Sequence, residues 1–176
     1  MKALFKFRAL PMFVCALLMS SAVMAQKPVA SPRDSVSGTV AGATVKIAYG
    51  SPAVKGRQIF GGLVPYDKVW RTGANTMSTF ETSKAIKVQG KTLPAGKYSL
   101  FTTPGEKEWK IIFNSVTGQW GIKRDGSAND DPAKDVLVVT AKPMKSNAMH
   151  ERLTFEINKK GFVLLWDNTA VPVSLK

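Results

Sequence analysis

Between positions 49 and 75 the chain carries Lys55, Arg57, Tyr66, Trp70, Arg71 and Asn75 in a stretch too rich in Gly and Pro to be a helix. These are the side chains that hold a sugar-like or anionic ligand. Aromatic faces stack on sugar rings, and Arg or Asn beside them can hydrogen-bond hydroxyls or carboxylates. Trp120 stands in a second long loop, residues 115–132, and completes the predicted ligand-binding set. A long structured loop on a β scaffold is where such a scaffold usually carries its function. The opposing reading makes Trp70 a core residue and Arg71 a buried structural arginine that satisfies loop carbonyls, paired with Glu81. Trp109 and Trp166 lie within strand-like runs and are expected in the core.

Catalytic constellations are sparse. There is no G-x-S-x-G elbow. The one histidine, His150, is the only candidate base for a serine triad, and either Ser51 or Ser78 as its nucleophile would be arbitrary. Asp67 and Glu81 could form the carboxylate pair of a carbohydrate-active hydrolase, provided that both face one cleft. Gly56, Gly61 and Gly62 lack P-loop spacing. Zinc needs several His or Cys ligands, and His150 reads as a surface residue. The acidic run at 125–131 offers oxygens but not the spacing or closing Glu of an EF-hand, so it reads as a solvated turn. The expectation is no catalytic residue, no metal and no cofactor.

The elements that must position the loop are strands. Val45, Ile47 and Tyr49 alternate, as do Leu153, Phe155 and Ile157, and Val171, Val173 and Leu175. Alternation marks a strand with one buried and one wet face. Ile111-Ile112-Phe113 suggests burial on both faces, and 136–140 reads as a buried strand. Further short strands are expected at 34–40, 69–72, 78–82, 86–88, 97–103, 109–114, 152–158 and 162–166. The count is about ten, with turn signals between them. This predicts an all-β, single-domain antiparallel β-sandwich with two long loops, jelly-roll or immunoglobulin-like, over residues 34–176.

Residues 1–25 read as a cleaved secretory signal peptide. Lys2, Lys6 and Arg8 precede an apolar run from Ala9 to Met19, and Val23 and Ala25 suit signal peptidase. Residues 26–33 read as a flexible leader. The protein is thus expected to be exported, to the periplasm or beyond the cell. The mature chain would have no transmembrane anchor and no cysteine, since Cys15 leaves with the signal. Losing the three basic residues of the signal lowers the formal net charge from +13 to +10. Such a field favours anionic partners. For an exported protein these are acidic glycans or anionic envelope components rather than nucleic acid. The lysines are scattered along the sequence, and the plainer reading is that they serve solubility.

Four segments, YGSPAVKGRQIFGGLVPYDKVWRTGAN, LPAGKYSLFTTPG, EWKIIFN and QWGIKRDG, resemble a family of secreted bacterial proteins described as a domain of unknown function, numbered twenty-nine eleven. The likeness runs from about Ser31 to the end. It implies a signal-bearing, single-domain, all-β protein and implies no activity. The residues themselves favour a non-catalytic protein that binds a glycan or anionic envelope component through the 49–75 loop. The alternatives are the Asp67–Glu81 hydrolase, and an accessory domain docking on a protein partner through Ile59, Phe60 and Leu63.

Overall fold

The computed structural model describes residues 29–176. The expected signal peptide, with Cys15, and the first residues of the leader lie outside the described residues. Strands β1 (Arg33–Val40) and β2 (Ala43–Gly50) form the first hairpin. Val45, Ile47 and Tyr49 are buried while Thr44 and Lys46 face water, as a period of two requires. Ala41 and Gly42 both take positive φ, the geometry of a tight two-residue hairpin turn.

The main sheet continues through β3 (Thr79–Thr82), β6 (Gly96–Thr103), β7 (Trp109–Asn114) and β8 (Asp135–Ala141), in the antiparallel order β1-β2-β3-β6-β7-β8. Two hairpins supply the facing layer: β4 (Ile86–Val88) with β5 (Lys91–Leu93), and β9 (Met144–Asn158) with β10 (Gly161–Ser174). They join where Lys87 and Lys176 exchange backbone hydrogen bonds of 2.6 and 2.9 Å. On the other edge of β9, Val54 N donates to Glu151 O and Leu153 N to Pro52 O. The expected all-β antiparallel sandwich is therefore what forms, and its main sheet is a meander interrupted once.

The core between the layers takes Phe80, Leu100, Trp109, Phe113, Leu153, Phe155, Phe162 and Trp166. The middle strands of the main sheet are buried on both faces. Leu100 and Phe113 point into this core, whereas Phe101 and Ile112 join Met77 and Ala128 in a second cluster, with Val69 packed against it. The two long loops cover that second cluster, because Val69 comes from the first, Met77 follows directly after it, and Ala128 comes from the second. The outer face of the sheet thus becomes the floor on which the loops meet.

Several boundaries differ from the sequence reading. Strand β8 is an edge strand, so only alternate residues turn inward: Val136 and Val138 are exposed, and Val139 is buried. The strand expected at 69–72 is reduced to one bridge, Trp70 to Thr102. Strand β9 starts at Met144 rather than at 152. The two expected last strands form one element, β10. A straight strand would separate Gly161 and Val173 by about 40 Å, yet Gly161 packs against the Val173 carbonyl, and Lys160 O accepts from Leu175 N at 2.9 Å. The reversal falls at Asp167, where φ is 54° and the register shifts on either side. The end of the expected leader is also held: Pro32 O accepts from Ser51 N at 2.8 Å, and Ser31 O accepts from Asn75 Nδ2 at 3.2 Å.

Candidate functional site

The first long loop is built on backbone contacts that need small residues. A Cβ on Gly50 would fall 2.1 Å from the Ala74 carbonyl oxygen, so Gly50 and the 73–74 segment touch main chain to main chain. Lys55, Asp67, Thr72 and Asn75 all have positive φ. For Thr72, at 53°, this is a true outlier, because a β-branched side chain clashes there. Its conformation is held from three sides. Ser78 Oγ donates to Thr72 O at 2.8 Å, and the Thr72 hydroxyl bonds Thr102 Oγ1 at 3.1 Å and Trp70 O at 3.3 Å. Strain of this kind, roughly 1–3 kcal/mol, persists where the surroundings over-determine it and clusters at functional sites.

The strained turn sits directly after Arg71. Gly121, from the second loop, lies so close that a Cβ there would meet Arg71 Cδ at 2.3 Å and Asn75 O at 2.8 Å. The guanidinium is part-buried, and its Nε donates to Gly73 O at 3.1 Å. Burial lowers its pKa from the ordinary arginine value. Among the described residues no carboxylate forms an ion pair with it, and Nε is its only hydrogen-bonding nitrogen. Glu81, its expected partner, stands on β3 between Lys46 and Lys97 of the neighbouring strands.

Around Arg71 opens a cleft of about 750 Å³ between the two loops, within the range of small-molecule sites. Arg57, Trp70, Arg71 and Asn75 of the predicted set border it. So do Lys68, Lys123, Asp130 and Trp166, which sequence reasoning did not select. Lys123 Nζ and Asp130 Oδ1 lie 3.9 Å apart, a loose pair that leaves the remaining cations unopposed. Trp70 is half-buried and stacks on Trp166 with ring centroids 5.7 Å apart, edge-on to Phe60 and Trp109. Trp109 and Trp166 are core residues, as expected, but Trp166 also borders the cleft. Its Nε1–H is fully buried and finds no acceptor among the described residues. Buried indole N–H groups ordinarily have a partner.

Other members of the predicted set fall elsewhere. Lys55 is exposed, with its backbone N bonded to Glu151 Oε1. Tyr66 borders a separate cleft of about 300 Å³ with Phe60 and Trp109. Trp120 is 55% exposed, its backbone bridged to Thr76, and it does not border the large cleft. Arg57 borders the cleft but holds its own loop, donating from Nε to Val54 O and from Nη2 to Ala53 O.

The alternatives lose their geometric support. Asp67 N bonds Pro104 O, just past the end of β6, while Glu81 pairs with Lys97 at its start. Seven residues of strand separate them by roughly 23 Å, against about 5–10 Å for carboxylates sharing a glycosidic bond. The expected docking patch does not form: Ile59 is buried, Phe60 is half-buried, and only Leu63 is exposed, at 47%. His150 Nε2 lies 2.9 Å from Ser146 Oγ, not from Ser51 or Ser78, which bond backbone carbonyls. The Asp167 carboxylate opposite it accepts from Asn168, and neither Ser146 nor His150 borders the large cleft. In the acidic run, Asp125 accepts from Ser127 Oγ and N, bonds that lower its pKa, and Asp131 accepts from Ala133 N. Among the described residues no three His, Cys, Asp or Glu side chains gather as metal ligands.

Comparison with curated proteins and with solved structures gives no match. Among protein families, the one described as a protein of unknown function (DUF2911) matches residues 31–175, the span of both loops and all ten strands, and the chain belongs to that family.

Proposed function

We propose that this is an exported, non-catalytic binding protein whose cleft between the 49–75 and 115–132 loops takes an acidic glycan of the cell envelope. The observation that carries the reading is Arg71. A part-buried guanidinium without a carboxylate partner is costly, and a ligand carboxylate would supply the missing acceptor through a charge-assisted hydrogen bond. Arg57 and Lys68 on the same walls add to the positive field, while Asp130 offsets Lys123. Trp70 adds an aromatic surface for a sugar ring. Export is supported by the signal-like residues 1–25.

Titration calorimetry with uronic-acid oligosaccharides and with neutral oligosaccharides of matched length tests the reading. The acidic series should bind, more weakly as salt rises, and Arg71→Met should abolish most of that binding. Equal affinity for neutral sugars, or unchanged affinity in Arg71→Met, would remove the basis for the proposal.

A further inference from the structure

The fold gathers lysines that the sequence keeps apart. Lys159 and Lys160 form the turn between β9 and β10. Lys176 lies beside them, because Leu175 N bonds Lys160 O. Lys87 is joined to Lys176 by paired backbone bonds. Gln89, in the turn between Val88 and Lys91, donates from Nε2 to Thr140 O, which ties this turn to the end of β8 near Lys142. Lys142, Lys159, Lys160 and Lys176 then rim one cleft of about 690 Å³, and no Asp or Glu side chain borders it. Half-buried Val163 and exposed Pro172 give the rim a small apolar component. The Arg71 cleft is distinct. Trp166 borders that cleft and Gly161 borders this one, about 16 Å apart along the first run of β10.

We infer that this lysine-rimmed end of the sandwich docks on an anionic phospholipid bilayer and leaves the Arg71 cleft open to solution. Charge complementarity selects the occupant: exposed Lys87, Lys142, Lys159, Lys160 and Lys176, from four separate segments, share one end and outnumber Glu156, which stands across the strand pair from Val163. Such a surface is attracted to negative headgroups, with each lysine near the bilayer strengthening binding about fivefold. Val163 and Pro172 are too few to insert deeply, so the contact is electrostatic and reversible by salt.

Vesicle co-sedimentation of residues 29–176, which contain all ten strands and both apolar clusters, tests this. The vesicles are phosphatidylcholine alone, or phosphatidylcholine mixed with phosphatidylglycerol. The protein should pellet with the mixed vesicles only and be released by salt. The Lys159→Gln/Lys160→Gln variant should bind about 25-fold more weakly. A charge-matched control, Lys46→Gln/Lys97→Gln on the outer face of the main sheet, should lose much less. Equal loss in the control would make net charge, not this end, responsible and overturn the inference. Binding to neutral vesicles would also overturn it. So would binding to heparin but not to vesicles, which would make the occupant a soluble polyanion.

Discussion

Arg57 and Arg71 border the same cleft, yet exchanging each for methionine should have opposite consequences. Methionine keeps most of the apolar stem and removes the charged head. Arg57 closes its own loop with two bonds to the Ala53 and Val54 carbonyls. Hydrogen bonds from charged donors contribute about 1.5–3 kcal/mol each, and exposure of this side chain places them at the low end. Arg57→Met should therefore cost roughly 2–3 kcal/mol, which in a domain of this size lowers Tm by roughly 5–10 °C. Arg71 has one such bond, to Gly73 O. Its loss is offset by relief of a desolvated charge with no partner, so Arg71→Met should change stability by no more than about 1 kcal/mol, or ~2–4 °C. In calorimetry with an acidic oligosaccharide the order reverses. Arg71→Met should weaken binding ~10–150-fold, the equivalent of one charge-assisted bond, and Arg57→Met, if its loop refolds, far less. If Arg71→Met melts as low as Arg57→Met, Arg71 is a structural plug and the argument from its missing partner fails.

Gly121→Ala would drive a methyl into Arg71 Cδ and the Asn75 carbonyl; thermal melts should show a loss of ~1–3 kcal/mol from overpacking, with weaker acidic-glycan binding as Arg71 is displaced. Trp120→Ala, at an exposed site off the cleft, should alter both stability and binding little, within ~0.5 kcal/mol by denaturant titration. Phe80→Ala empties the centre of the core between Phe113 and Phe162 and should cost ~3–5 kcal/mol in the same titration. Burial pushes the Tyr49 phenol up to about 12, with the nearby Asp34 carboxylate adding to the shift. The folded state then holds its proton more tightly than the unfolded state, so this contribution is fully present below pH 10 and is lost as pH rises through 12. Alkaline melts of Tyr49→Phe should lack that component of the decline.

The parts of this molecule that were legible in the sequence are those fixed by local period and turn chemistry. Alternation at Val45, Ile47 and Tyr49 gives the first hairpin, and the unbroken run Ile111-Ile112-Phe113 signals a strand covered on both faces, with Ile112 under the loops and its neighbours in the main core. Periodicity cannot say whether a strand is central or at the edge, which is why Val136 and Val138, apolar and consecutive with Leu137, read as buried and are not. Nor can it say that β10 reverses at Asp167 instead of ending there, since strand, turn and strand carry the same residues in either case. The site shows the same division. Side-chain type selected Arg57, Trp70, Arg71 and Asn75, which border the cleft, along with Lys55, Tyr66 and Trp120, which do not, and it could not choose between Arg57 as a brace and Arg71 as an unpaired cation. That choice is made by carbonyls at Ala53 and Val54, by the absent Cβ of Gly121 in the other loop, and by a threonine held at positive φ. Thr72 is the telling residue. No local preference would place a β-branched side chain there, so its conformation is imposed by Ser78 and Thr102, and the turn it completes sets Arg71 across the second loop rather than into solvent. A loop that only had to close would more cheaply use glycine at that position.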